Sequence, residues 1–582
     1  MKISLGMNSW KQYFNPLNLI PLKRLGNFNA TGLILISLLL ISLMGGSQNF
    51  IGGGEVHGNF QMDAQFYRND TAIGAPEIEE KMLMNGFLNV LYSNGPLTAG
   101  IRYEGYLNPI LGFDPRYEGQ GIPYRFVSFK KDNFELTAGN FYEQFGNGLV
   151  LRSYEEWNLG YDNSIDGFRV VYAPTEGILL KGVIGKQRYF WNKGPGTVRG
   201  IDGDFSINDI ISSLSEKKTR LSVGGSFVSK YQPDEDIMID ATHKLVLPLN
   251  VGTWAMRFNL INGGLNFSGE YAYKFNDPSA VNDYIYKNGQ SILLNASYSR
   301  KGLGISFNAK YIDNESFKSK RTETSSALDI NFLPPLTDQH SYGLASTYPY
   351  ATQPNGEVGF HGQVTYTIPK KSTLGGKYGT TINVLYSTTS DISRTAINDT
   401  IPIGESGTLG YNSTLFGIGD EKFYDEFNLV ITHKFSKKFK AVFFYLYQMY
   451  NIAVIEGHMG DPDVYANTIV ADMSYRIKPK HSLRMELQYL TTKQDDGDWA
   501  MALLEYNIAP KWFFAVFDQY NFGNPDPDKR FHFYNVACGF NKGSSRLALS
   551  YGRQREGILC VGGVCRNVPA SNGLTLTLSS SF

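Results

Sequence analysis

The residues with the clearest chemical potential are the three cysteines, and two of them stand close together. Cys560 and Cys565 flank Val561-Gly562-Gly563-Val564, and Gly-Gly between matched β-branched residues predicts a two-residue hairpin turn. In that register the cysteines form a non-hydrogen-bonded pair with Cα atoms about 4.5 Å apart, within disulfide range. We predict a disulfide between them, with two free thiols as the alternative. Cys538 lies in a predicted strand and is expected to be a free, buried thiol.

The other chemistry-bearing residues form no catalytic or metal-binding motif. The eight histidines are scattered along the chain, and no two of them have metal-ligand spacing on one strand. His-Glu-x-x-His, Gly-x-x-x-x-Gly-Lys-Ser/Thr and Gly-x-Ser-x-Gly are all missing from the sequence. We therefore predict a non-enzymatic protein with no catalytic residue, no metal and no cofactor.

The composition narrows the class of protein further. The 582 residues include 61 Gly, 38 Phe and 37 Tyr, and only 19% are charged. Lysine plus arginine and aspartate plus glutamate number 54 each, which argues against a nucleic-acid partner. Three cysteines are too few for disulfide bonds to stabilise a chain of this size, so backbone pairing and side-chain burial must stabilise it. A chain rich in Gly, Tyr and Phe and poor in charge suits many short strands.

The N-terminus predicts export. Residues 1–30 carry four basic residues and no acidic one, and residues 33–44 are almost wholly apolar. Twelve residues make about 18 Å of helix, too short for a bilayer core of about 30 Å. We predict a cleaved signal peptide over residues 1–47 and a mature domain over residues 48–582, with an uncleaved anchor as the alternative.

The mature chain shows period-two alternation instead of long apolar runs. Leu483, Met485, Leu487 and Tyr489 alternate with polar residues, and other segments repeat the pattern. Successive side chains of a strand point to opposite faces, so each segment has one apolar and one polar face. In an outer-membrane barrel the polar face lines the lumen. On that reading the candidate lumen-lining residues are Glu270, Lys274, Lys310, Arg484, Glu486 and Gln488.

The alternating last segment, 574–582, ends on Phe582. It resembles the C-terminal strand by which outer-membrane barrels engage the barrel-assembly machinery. Together with the Tyr- and Gly-rich alternating segments, it makes the mature chain resemble the large outer-membrane β-barrels of Bacteroidota-type bacteria, from families without assigned activity. The resemblance implies an all-β fold in the bacterial outer membrane, surrounded by lipid and lipopolysaccharide. It implies no active site.

Connection lengths support this fold. Short predicted turns, such as 262–264, 478–480 and 541–545, alternate with long predicted loops, such as 311–360 and 388–426. Barrels of this type alternate short periplasmic turns with long extracellular loops, and we predict about 24 strands, with 22 as the alternative. Keeping the alternation requires one extra strand near 199–207. Strands begin near Glu55, which leaves no room for an N-terminal plug domain and argues against energised import.

Two functions remain open from the sequence. One is a passive, porin-like channel, and the other is an accessory or scaffold subunit of a larger outer-membrane assembly, such as a secretion complex, with its lumen closed by its own loops. The candidate plug is the segment 141–165, whose aromatic residues would be costly on an exposed tip. They are Phe145, Tyr154, Trp157 and Tyr161. Asp70-Thr71-Ala72 and Asp399-Thr400-Ile401 resemble a Bacteroidota O-glycosylation motif, which makes Thr71 and Thr400 candidate glycosylation sites.

Overall fold

A computed structural model describes residues 49–50, 53–561 and 564–582, and the side chains of residues 53–558 and 566–582. The signal peptide predicted over residues 1–47 lies outside this part of the chain. The described residues up to Ser581 belong to one compact unit.

The alternating segments form one antiparallel sheet that closes on itself. The sheet has 25 strands, and without the two-residue strand Asn49–Phe50 the other 24 make a barrel in chain order. The barrel strands are β1 Gly54–Tyr67, β2 Met82–Asn94, β3 Leu97–Leu107, β4 Gly119–Lys131, β5 Phe134–Phe141, β6 Ile165–Tyr172, β7 Ile178–Tyr189, β8 Asn192–Ser206, β9 Thr219–Tyr231, β10 Asn250–Asn262, β11 Leu265–Lys274, β12 Gly289–Arg300, β13 Leu303–Asp313, β14 Gly356–Ile368, β15 Thr380–Thr395, β16 Asn412–Lys434, β17 Phe439–Tyr450, β18 Val464–Lys478, β19 His481–Thr491, β20 Trp499–Ile508, β21 Trp512–Tyr520, β22 His532–Lys542, β23 Ser545–Gln554 and β24 Ser571–Ser581.

The last strand completes the barrel. β24 pairs with β23 from Arg546–Ser579 to Gln554–Ser571, and with β1 from Asn59–Ser581 to Tyr67–Gly573. Because the sheet closes, neither β1 nor β24 presents a free edge over its paired length. The predicted all-β, outer-membrane-type barrel of 22–24 strands is confirmed.

Apart from the strand Asn49–Phe50, which pairs with β1, the helices and extra strands of the described chain lie in the connections. The helices are α1 Ile207–Ile210 and α2 Ile452–Ile455, with 3-10 turns at Thr71–Ile73, Pro115–Tyr117, Trp157–Leu159, Ser212–Leu214, Ala280–Asn282 and Pro527–Lys529. The extra strands are Gln144–Phe145, Leu151–Arg152, Glu155–Glu156, Tyr161–Asp162, Gly557–Val561 and Val564–Val568. Among the described residues, no helix is long and apolar enough to cross a membrane.

The connections differ between the two ends of the barrel, as predicted. At the turn end, most hairpins close in a few residues, for example at 263–264 and 479–480. Gly263 has φ +58°, the left-handed conformation that a two-residue hairpin turn favours. At the loop end, the connections include the long segments 142–164 and 314–355. These two are called the first inner loop and the second inner loop below.

Two boundaries differ from the sequence-based prediction. The extra strand predicted near 199–207 is the second half of β8, which follows β7 through the two-residue connection 190–191 at the loop end. That connection lacks the usual turn residues, since Phe190 takes φ +54° while its ring packs on Tyr117 at 4.7 Å. The predicted loop 388–426 shrinks to 396–411 because β15 and β16 continue beyond it, with register shifts that hide the alternation.

The outward face of the barrel is apolar and exposed. Phe168 on β6 is 57% exposed and Met256 on β10 is 67% exposed, and other strands carry similar side chains. Cys538 is free, as predicted, but it is only partly buried and lies beside Val536 and Leu549 in an outward groove. The expectation of a buried thiol was wrong because the apolar face of these strands points away from the lumen.

Candidate functional site

The candidate functional site is the lumen, where both inner loops fold in against the wall. Apolar side chains of each loop are almost completely buried, although the loops connect strands at the open end of the barrel. The buried apolar residues are Phe145, Leu149, Val150 and Leu151 in the first inner loop and Phe317, Ile330, Leu344 and Tyr348 in the second. Fully burying one such side chain is worth about 1.5–3 kcal/mol, so the packing holds the loops in place.

The first inner loop packs on one half of the wall. Phe145, Leu149, Val150 and Leu151 share a cluster with inward residues of the strands from β5 to β12. Those wall residues are Phe141, Ile165, Val183, Val198, Val228, Val251, Ala255, Ala272 and Leu293. Phe317 and Ile330 of the second inner loop join the same cluster. The two loops therefore share one apolar core inside the barrel.

The second inner loop continues to the other half of the wall. Leu344, Tyr348 and Tyr350 pack in a separate cluster with inward residues of the strands from β16 to β22. The wall residues from these strands are Phe423, Tyr424, Tyr450, Val464, Ala466, Leu490, Trp499, Met501 and Phe533. One loop thus contacts wall segments that lie far apart around the barrel.

A carboxylate on β11 anchors the first inner loop. Glu270, 2% exposed, accepts hydrogen bonds from the backbone N–H of Asn147 at 2.8 Å and from its side-chain amide at 2.7 Å. The neighbouring Gly146 has φ +52°, and a Cβ there would lie 2.6 Å from the Glu270 carboxylate. Any larger residue at this position would displace the anchor. At the base of the loop, Glu143 accepts from Arg169 at 2.6 Å and from Lys181 at 2.9 Å.

A buried charge cluster holds the far end of the first inner loop. Asp162 accepts from Arg188 at 2.8 Å and also pairs with Arg102, while Glu104 pairs with both arginines at 2.6 and 2.7 Å. Both arginine side chains are 3% exposed. Burial alone would raise the pKa of Asp162, but the Arg188 and Arg102 guanidinium groups outweigh it and lower that pKa. The loop carboxylate therefore stays ionised where the wall supplies the countercharge.

Lysines on β9, β11 and β13 bind the backbone of the second inner loop. Lys230 on β9 donates to the carbonyl of Lys318 at 2.7 Å, and Lys274 on β11 donates to the carbonyl of Ser316. Lys310 on β13 donates to the carbonyl of Pro334 at 2.9 Å and pairs with Glu357. These lysines are among the largest fully buried side chains of the described chain.

Side chains of β16, β17 and β19 bind the same loop through carboxylate and amide groups. Glu426 on β16 accepts from the backbone N–H of Asp338 at 3.2 Å and contacts His340 Nε2 at 3.0 Å. Gln488 on β19 accepts from the backbone N–H of Leu344 at 2.8 Å. Gln448 on β17 donates to the carbonyl of Tyr348 at 3.2 Å.

The six residues predicted to line the lumen all lie on the inner face. Glu270, Lys274, Lys310 and Gln488 bind the inner loops directly. Arg484 donates to Asp472 at 3.1 Å and pairs with Glu486, which in turn accepts from Gln488. These polar groups are therefore occupied by protein partners.

The aromatic residues of the first inner loop also point inward. Phe145 is fully buried and Tyr161 is 7% exposed. Tyr154 packs on Tyr161 with ring centroids 4.8 Å apart, and Trp157 packs on Phe87 of β2 at 4.0 Å. The second inner loop was predicted only as a long loop at 311–360, and its position inside the lumen was not predicted. Its length and its aromatic residues, including Phe317, Tyr348 and Tyr350, were the available signal.

The other predicted sites lie away from the lumen core. The backbone pairs Cys560 with Cys565 in a hairpin at the loop end, but their side chains lie outside the described part, so the disulfide stays a prediction. Thr71 and Thr400 are exposed in loop-end connections, and their modification is untested. Phe582 follows directly after β24. Within the described residues, no group of three or more His, Cys, Asp or Glu side chains could hold a metal ion.

Comparison with known proteins gives a family and several distant barrels. The siderophore receptor PirA of Pseudomonas aeruginosa is 9% identical over 90% of this chain and 80% of its own, with a TM-score of 0.40. OccD3 (OpdP) of the same organism is 10% identical over 92% and 93%, with a TM-score of 0.32, and Acinetobacter baumannii OccAB4 is 9% identical over 90% and 98%, with a TM-score of 0.31. No curated protein matches. The profile of DUF6029, a family of unknown function, matches residues 30–582, and the chain belongs to this family.

Proposed function

We propose that this protein is a non-enzymatic, porin-like channel of the bacterial outer membrane whose lumen is closed at rest by its two inner loops. The observation that carries the proposal is the use of inward polar side chains as loop anchors. Glu270 binds the first inner loop, and Lys274 and Gln488 bind the second inner loop. A wall that binds loops through hydrogen bonds can release them without unfolding the barrel.

The width of the barrel explains why such loops are needed. Twenty-four strands spaced by about 4.8 Å and tilted by about 40° give a backbone diameter of roughly 45–50 Å. An unfilled tube of that width would let large molecules cross the membrane. A loop held by reversible contacts restricts passage to the times when it moves.

Loop replacement tests the proposal because the strands flanking each loop are directly paired. Phe141 lies opposite Ile165, and Asp313 lies opposite Gly356. An Asn-Gly turn can therefore replace residues 142–164 or 314–355 without altering the barrel register. Single-channel currents across planar bilayers are then compared for the wild type, each replacement and the double replacement. As a matched control, the loop 521–531, between β21 and β22, is replaced in the same way, because Tyr520 lies opposite His532.

We expect brief, rare openings from the wild type and large, sustained currents from the double replacement, with no such change in the control. A double replacement that folds, judged by heat-modifiable migration on gels, but conducts no more than the wild type would contradict the channel. A wild type with a permanently open, large pore would contradict closure by the loops.

A second candidate function is an accessory subunit of a larger outer-membrane assembly. The observation that favours it is a set of exposed apolar side chains at the loop end. Val246 is 83% exposed and Leu409 is 62% exposed, on two loops that Tyr286 of a third loop bridges. The Tyr286 hydroxyl donates to the carbonyl of Val246 at 2.8 Å, and its backbone N–H donates to the carbonyl of Thr408 at 2.7 Å. Exposed apolar patches of this kind commonly mark protein interfaces. Native electrophoresis after gentle detergent extraction, with V246D and L409D variants, would show a complex that the variants lose.

Both candidates require the outer membrane as the location. Lipid and lipopolysaccharide would cover the apolar outward face, and the barrel-assembly machinery would engage the last strand and Phe582. Under either candidate, no nucleic acid takes part.

A further inference from the structure

A cavity of about 330 Å³ lies inside the loop end of the barrel, beneath the hairpin formed by Gly557–Val561 and Val564–Val568. Its walls come from β21 and β22, from the second inner loop, from the end of β23 and from the chain that follows it. Three arginines line it, Arg553, Arg555 and Arg566. We call it the arginine cavity.

Only one of the three arginines has a carboxylate partner. Arg553 donates to Asp70 at 2.7 and 3.1 Å. Arg555 donates to the hydroxyl of Thr347 at 3.0 Å and makes no ion pair within the described chain. Arg566 also has no ion pair there. Its guanidinium lies over the Phe113 ring at 4.2 Å, and its Nε and Nη1 groups are buried without a hydrogen-bond partner.

No carboxylate of the described chain forms an ion pair with Arg555 or Arg566. Glu556 also lines the cavity, but its side chain is exposed and pairs with neither arginine, so the two arginines outnumber it. Residues 1–48, 51–52 and 559–565 contain no Asp or Glu, so no acidic side chain outside the described part can pair with Arg555 or Arg566. Asp495 and Asp496 are near enough to act on the charge of Arg555, but Tyr348 donates to Asp495 at 3.0 Å and Asn524 donates to Asp496 at 3.0 Å.

The electrostatics of both arginines reflect this missing partner. Burial lowers the pKa of Arg555 and lowers the pKa of Arg566 to about 10. Burying a charge without a partner is costly, and proteins normally supply a counter-ion. A guanidinium group is suited to holding a carboxylate through two parallel hydrogen bonds.

The rest of the lining shows what else the ligand contains. Phe517, Phe533 and Ile558 present apolar surface, while Gln519 and Asn535 present amide groups. Apolar walls beside a basic end fit an organic anion better than a fully hydrated inorganic one. The volume suits a small ligand of one ring or a short chain.

We propose that the arginine cavity binds a small organic carboxylate. Arg555 and Arg566 hold the carboxylate group, and Phe517 and Phe533 cover the apolar part of the ligand. This inference goes beyond the proposed channel, because binding at this place does not require conduction. A binding measurement can therefore succeed or fail independently of current measurements.

Isothermal titration of the purified full-length barrel tests the proposal, with benzoate as the probe. Benzamide, an uncharged molecule of the same shape, and inorganic phosphate, an anion without an apolar body, are the comparison ligands. The variants are R555Q, R566Q and the double variant. R300Q is the matched control, because Arg300 is exposed at the turn end of β12.

We expect saturable benzoate binding to the wild type and to R300Q, and none of benzamide. Losing one charge-assisted contact should weaken benzoate binding by about tenfold or more, and the double variant should lose it. Heat-modifiable migration checks that each variant is folded. If the glutamine variants do not fold, R566K keeps the charge but loses the planar fork, and it should still weaken binding.

Two results would overturn the proposal. One is benzoate binding that is absent from the wild type or unchanged in the folded double variant. The other is phosphate that displaces benzoate with equal or higher affinity, since the apolar walls would then contribute nothing to recognition.

Discussion

Replacing Phe145 with alanine should release the first inner loop from the wall. The Phe145 ring is fully buried, and it lies over Gly200 on β8, where an added Cβ would be 2.8 Å from the ring. Truncating a buried phenylalanine costs about 3–5 kcal/mol. This cost falls on the docked loop only, because Phe145 is not packed in the released loop. The ratio of released to docked loops should therefore rise roughly 150-fold to several thousand-fold.

Trypsin cleavage at Arg152 measures this ratio without depending on conduction. In the docked loop the Arg152 N–H donates to the carbonyl of Ile330 at 2.9 Å, and its guanidinium stacks on Phe332 at 3.9 Å. Cleavage requires the bond to leave this position, so F145A should be cut much faster than the wild type. F168A is the matched control, since Phe168 faces outward on the neighbouring strand β6.

The same contact can be disturbed from the wall. G200V places a side chain where the Phe145 ring lies, so it should also speed cleavage at Arg152, even though Phe145 is unchanged. Equal cleavage rates for the wild type, F145A and G200V would refute the inference that apolar packing holds the loop. Faster cleavage of F168A as well would show a general loosening of the barrel instead.

Three further predictions concern the second inner loop and the loop-end sites. Burial raises the pKa of Glu315 to about 8, above the 4.5 of a solvated carboxyl, so the docked loop binds the extra proton and should dock most tightly at low pH. Channel opening should then increase as pH rises from about 4.5 to about 8 and level off above that, and E315Q should remove that response; an unchanged response would contradict it. With a disulfide in the 557–568 hairpin, a thiol reagent should label only Cys538 in the non-reduced, denatured protein, and three labels would exclude the bond. Glycosylation at Thr71 or Thr400 should raise the intact mass of the native protein, and T71A or T400A should remove the added mass; a mass equal to the bare chain excludes both.

The sequence determined the fold class because each strand carries its own signal. Alternation in segments such as 483–489 indicates which side chains face lipid and which face the lumen. It can be recognised within one segment, without knowing which strand pairs with it. Alternating connection lengths then order the strands around the barrel. The signal failed where the local rule was broken, at the Phe190 turn and in the bulged extensions of β15 and β16.

What the inward residues bind was decided only by the tertiary structure. The sequence places Glu270 and Gln488 on the inner face, but their partners Asn147 and Leu344 are more than a hundred residues away along the chain. Such contacts depend on how two long loops pack together inside a closed barrel, and no local periodicity encodes that packing. The unpaired charge of Arg566 is likewise a property of the folded chain, because pairing can be judged only once every carboxylate has found its partner.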